Sequence, residues 1–203
     1  MQKITALLSG ALCAAVLAAA VAGPAAAADK AEYRLGDRLP QKGTAAAAAA
    51  AAAASYKEVT WEALMPADWN PGRDLEKLNL GALSDSDPRA IKALEQIRAM
   101  MDNAPIVTSL NGTRIRIPGF LVPLDVARGQ VSEFLLVPYF GACIHTPPPP
   151  ANQIIHVFPS RPYKADGMEA VWVSGVLETG RSDTSMGIAG YRLRAEIVAP
   201  YRR

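Results

Sequence analysis

The chain is 203 residues long and half hydrophobic, with 21 Lys plus Arg against 19 Asp plus Glu, two Cys and two His. A net charge of only +2 gives the surface little field to draw polyphosphate or anionic lipid, which argues against nucleic-acid binding. Alanine inflates the apolar half in residues 1–28 and Ala45–Ala54; without them roughly 140 residues remain, enough for one domain with a self-sufficient core.

Residues 1–28 read as an export leader. Lys3 gives a positive start, Ile4 to Val21 is apolar and uncharged, and Pro24 precedes Ala25–Ala28, so cleavage is expected after Ala28. The alanine content makes this stretch a poor membrane anchor, so no stable span is expected after processing. Cys13 follows Leu12, where a lipidation site wants a small residue, and leaves with the leader. The protein is thus expected in the periplasm or outside the cell, with Cys143 as its single thiol. Such a thiol is buried and inert, paired to another molecule, or holding a metal.

Residues 29–55 read as an Ala-rich tether of low order, because ten consecutive alanines offer no amphipathic face to dock. Residues 56–203 are expected to form one domain. Trp61, Leu64, Met65 and Trp69 supply aromatic and apolar packing, interrupted by Pro66 and Pro71. Asp87 and Pro88 then open a helix with Ile91, Leu94, Ile97 and Met101 on one face, closed by Asn103 and Pro105.

Beyond Pro105 the pattern turns to short β-type runs. Ile106–Leu110 and Thr113–Ile117 flank Asn111-Gly112, a hairpin signal. Further runs are 119–123, 133–138, 154–158, 170–177 and 191–198, with Gly119 and Gly175 suited to sharp bends. The expected fold is mainly β: a small five- to six-stranded antiparallel barrel, OB-like, with one preceding α-helix. The strands lack the interleaved basic and aromatic positions of a nucleic-acid stacking platform.

One segment carries chemistry. Residues 134–155 read Phe-Leu-Leu-Val-Pro-Tyr-Phe-Gly-Ala-Cys-Ile-His-Thr-Pro-Pro-Pro-Pro-Ala-Asn-Gln-Ile-Ile. Cys143 and His145, separated by one residue, can both point to one side if the backbone is extended, and suit a thiophilic metal, Zn or Cu. His156 and Asp125 are further candidate ligands. Two or three donors do not close a structural site, so a metal here would be loosely held or shared. Against this stand a packed cysteine and a structural His156 alternating with apolar neighbours. A cysteine-dependent enzyme with His145 or His156 as base is a further alternative. Pro147, Pro148, Pro149 and Pro150 form a stiff extended spacer. With Tyr139, Phe140, Asn152 and Gln153 they are candidates for partner binding, which makes a non-catalytic interaction module the third class.

The run from Phe134 to Gln153, with Tyr139-Phe140-Gly141-Ala142-Cys143-Ile144-His145 before the prolines, and Gly119 to Leu124 upstream, resembles a bacterial family of secreted proteins of unknown function labelled DUF3299. The resemblance spans roughly residues 56–200. It implies a secreted protein whose genes often neighbour ABC-type transporter components linked to metal supply. Inner-membrane transporter components are therefore the expected partners, and an accessory role is expected ahead of an enzymatic one.

Overall fold

The computed structural model describes residues 32–40, 53–77, 87–143, 148–165 and 167–202. The expected leader, most of the alanine run, His145 and Pro147 lie outside the described residues. The chain is mainly β. Seven strands, β1 (Lys57–Glu58), β2 (Arg114–Ala127), β3 (Gln130–Val137), β4 (Ile155–Pro159), β5 (Tyr163–Lys164), β6 (Ala170–Thr184) and β7 (Gly187–Pro200), make one sheet. Its order is β1-β2-β6-β7-β4-β3-β5, and β2 also pairs with β3. Helix α1 (Pro71–Lys77) is short, and the main helix is α2 (Pro88–Asp102).

Helix α2 starts where its punctuation directs. Asp87 is extended and accepts from the Arg89 amide at 2.8 Å, satisfying a helix-start donor that has no partner within the helix, and Pro88 loses nothing at the first position. The stripe read from its periodicity is only partly covered: Ala93 is buried, whereas Ile91 and Leu94 are 52% and 61% exposed.

Two strand expectations are corrected. Asn111-Gly112 does not join a hairpin, because Thr108–Leu110 is a single 3-10 turn and only the downstream run becomes a strand. Its polar groups are taken by β6: the Gly112 amide donates to Leu177 O at 2.7 Å, and Asn111 Oδ1 accepts from the Thr179 amide at 2.9 Å. Long-range pairing thus outcompetes the local turn. The sheet is also mixed rather than antiparallel throughout, since β4 runs parallel to β7, with Ile155 opposite Tyr191, and β1 runs parallel to β2.

Alternation along the strands produces two apolar layers. Ile115, Ile117, Leu121, Phe134, Leu136, Ile155, Val173 and Leu193 form one with Trp61 and Leu64. Phe120, Val122, Leu135, Val137, Ile154 and Trp172 form the other, against which Tyr33, Leu39, Phe140 and Cys143 pack. Burial on both faces explains why Phe134 to Val137 is continuously apolar. Gly175 sits at a shift in the β6–β7 register, where an added Cβ would lie 2.1 Å from Arg194 O, so only glycine lets the strands approach this closely.

Residues 32–40, inside the stretch read as a tether, lie against this second layer. The Gly36 amide donates to Phe140 O and the Phe140 amide to Asp37 O, both at 2.9 Å, while the Tyr33 and Phe120 rings meet edge to face at 5.0 Å. On the other side, the Tyr191 hydroxyl donates to Leu64 O and accepts from the Val107 amide, each at 2.7 Å. Among the described residues no helix is long and apolar enough to cross a membrane.

Candidate functional site

Strand β3 delivers the chain to Pro138, and Tyr139 makes an isolated bridge to Arg38, whose guanidinium lies 5.6 Å from the Tyr139 ring centroid. A tight turn follows, with Gly141 and Cys143 both at positive φ, 86° and 66°. For a cysteine that backbone is strained by about 1 kcal/mol or more, and the position is held by its surroundings. The thiol is half-buried against the second apolar layer, and burial pushes its pKa up to about 11. Gly187, at φ 154°, places the β6–β7 hairpin beside this turn, within van der Waals reach of Ile154, Pro148 and Cys143.

The prolines behave unequally. Pro148 is exposed, Pro149 buried and Pro150 half-buried in polyproline geometry, with φ −59° and ψ 152°. Ala151–Gln153 then makes one 3-10 turn, and its two amide side chains act as ties. Asn152 Nδ2 donates to Pro105 O at 2.8 Å, and its Oδ1 is buried with no hydrogen-bond partner. Gln153 Nε2 donates to Trp61 O at 2.8 Å and to Asn152 O at 3.1 Å.

Together these segments wall a cleft of about 320 Å³ lined by Arg38, Glu62, Met65, Trp69, Pro71, Pro138, Tyr139, Pro149, Pro150 and Gln153. Of the sequence-predicted partner residues, Tyr139, Pro149, Pro150 and Gln153 therefore come together. Phe140 instead turns inward against Tyr33 and Phe120, with ring centroids 5.9 and 5.6 Å away. Arg38, Glu62 and Met65 carry no sequence signal for this cleft, because they reach it only through the docking of residues 32–40 and the 62–65 turn.

Of the candidate metal ligands, Cys143, Asp125 and His156 are among the described residues and do not converge on one site. Asp125, exposed near the β2–β3 turn, takes a short hydrogen bond from Ser132. His156 is 5% exposed, with Nδ1 at 2.6 Å from Ser182 Oγ and Nε2 at 2.6 Å from Glu133 Oε1. Burial lowers its pKa, with the Glu133 hydrogen bond and charge opposing that and the Arg192 charge adding to it, so the ring is neutral at pH 7. Among the described residues no group of three or more His, Cys, Asp or Glu is placed to hold a metal ion. Glu133 and Ser182 were missed from sequence. The available signal was His156 itself, a polar residue alternating with buried neighbours, which demands hydrogen-bond partners.

Comparisons with known proteins place the chain. No curated protein matches it. A crystal structure described as a DUF3299 family protein from Pseudomonas aeruginosa PAO1 is 34% identical, covers 73% of this chain and 98% of its own, and superimposes with a TM-score of 0.58. The family model for DUF3299, a protein of unknown function, matches residues 61–200. This span holds the sheet apart from β1, helix α2, the Cys143 turn and all of the cleft except Arg38, and by it the chain belongs to the DUF3299 family.

Proposed function

We propose that the protein is a periplasmic accessory binding module, an OB-like barrel whose cleft takes an extended, proline- or aliphatic-rich segment of an inner-membrane transporter component. The barrel reading is supported by β2 pairing with both β3 and β6, while β4 links β3 to β7, so that five strands return on themselves. The observation that carries the binding reading is the cleft's wall chemistry: Met65, Trp69, Tyr139, Pro149 and Pro150, with Arg38 and Glu62 among its lining. Aromatic and proline surfaces of this kind receive extended peptides, because such peptides lose little conformational freedom on docking. Both Gln153 N–H bonds go to backbone carbonyls, which fixes this side chain in the cleft wall. The prolines thus build the receiving wall rather than serve as the ligand. A photo-crosslinker at position 69 or 139 in the periplasm is expected to capture a transporter component, and one at 158 is not; absence of that adduct would reject the reading. Retention of residues 1–28 in the intact mass of the periplasmic protein would reject the export assignment.

A thiophilic metal at Cys143 and His145, Zn or Cu, is the second reading. It is supported by the strained, half-buried position of the only cysteine beyond the leader. With its thiol pKa near 11, Cys143 would bind metal more tightly by up to tenfold per pH unit, because the proton must leave. Metal analysis of anaerobically purified protein is expected to show a loss in Cys143→Ser. The same raised pKa weakens the cysteine-enzyme alternative, which requires a thiolate near neutral pH.

A further inference from the structure

We propose that Ser182, His156 and Glu133 form an acyl-transfer triad in which Ser182 Oγ attacks carboxylic esters of small acyl groups. Three strands bring these residues together: Ser182 from β6, His156 from β4 and Glu133 from β3. Both hydrogen bonds are short, 2.6 Å on each side of the imidazole. A neutral imidazole has one donor and one acceptor. A carboxylate only accepts, so Nε2–H donates to Glu133 Oε1, and Nδ1 must accept the Ser182 Oγ–H. This is the proton wiring of a nucleophile, a base and an orienting carboxylate, with the roles of the two ring nitrogens exchanged relative to the common serine hydrolases.

The surroundings suit the chemistry. The Phe158 ring lies 4.3 Å from the imidazole, centroid to centroid, and is 37% exposed, an apolar platform for an acyl chain. Arg192 stands opposite His156 in the β4–β7 register, and its Nη2 is tied to Arg181 O at 2.9 Å. It offers a fixed cation for the oxyanion of a tetrahedral intermediate. Ser182 is only 9% exposed, which restricts the acyl group to a small one. A single cation favours esters over amides, whose poorer leaving group needs fuller stabilisation.

The Oγ–C bond forms as the Ser182 proton passes to Nδ1, giving an imidazolium held by Glu133. The intermediate collapses by breaking the C–O bond to the leaving alkoxide, which departs as an alcohol with the proton from Nδ1. Water then attacks the acyl-serine, gives a proton to Nδ1, and releases the carboxylic acid as that proton returns to Oγ. Ser182 and His156 are the catalytic residues; Glu133 is a positioning residue.

The test treats the full chain at pH 7.5 with a small alkyl fluorophosphonate and maps the adduct by peptide mass spectrometry. An adduct at Ser182 is expected, forming at least about 100-fold faster in folded than in urea-unfolded protein, the contribution of a positioned base. Its rate should fall as acid protonates His156, drop by a similar factor in His156→Gln, and recover in part when Glu133→Gln is replaced by Glu133→Asp. A structural network predicts none of this. No adduct at Ser182, or equal rates in folded and unfolded wild-type protein, overturns the proposal even if a variant fails to fold, and neither result bears on the cleft.

Discussion

The Cys143–Gln153 segment and the His156 network lie a few residues apart in the chain but are built by opposite means. The first is conspicuous in sequence, a cysteine, a histidine and four prolines in a row, and its described residues combine local turns with ties from Asn152 to Pro105 O and from Gln153 to Trp61 O. The second shows in sequence only through His156, since Glu133, His156 and Ser182 are separated by 23 and 26 residues and meet only because three strands pair. Here the thiol is raised by burial out of the reactive range, whereas the imidazole is wired on both sides.

Four measurements break or sharpen this contrast. The largest effect is expected from His156→Ala, which empties a buried site and strands two polar partners; a loss of about 3 kcal/mol in urea unfolding follows from the cavity and the unmet hydrogen bonds. Glu133→Gln keeps the shape and removes the charge. With its side chain 39% exposed, solvent screens the loss to about 1 kcal/mol.

A smaller effect is the pH dependence of stability. The folded-state pKa of His156 lies below the unfolded value near 6.5, so on acidification the unfolded chain takes up the proton first. The contribution of His156 is therefore complete above about pH 6.5 and is lost as pH falls through the lowered folded-state value, a slope that His156→Gln should flatten in thermal melts. The smallest effect is expected from Cys143→Gly. Relief of the left-handed backbone, about 1 kcal/mol, offsets a similar loss of thiol packing, so the melting temperature should barely move.

Much of the fold was legible because strand periodicity survives in the residues that face the core: Ile115 and Ile117, or Leu193 and Ala195, mark their strands without help. Helix α2 was legible from Asp87 and Pro88 alone. The Asn111-Gly112 hairpin misled because turn chemistry competes with partners 65 and 68 residues away, Leu177 and Thr179, that sequence cannot weigh. Of the candidate cleft, Tyr139 and the prolines announced themselves. Arg38 and Glu62 did not, since a charged residue in an apparent tether or at a 3-10 turn looks like any solvated one.

The Tyr191 hydroxyl has a consequence for the order of folding. It holds Leu64 and Val107, segments that precede it by 127 and 84 residues, and each of those contacts waits for β7. Strand β7 also supplies the parallel partner of β4. Contacts of such long sequence separation slow folding, because the chain between them must be ordered before they form. Emergence or refolding of this protein should therefore end with one cooperative closing step at β7, the strand whose Tyr191 fixes the Leu64 carbonyl and the Val107 amide.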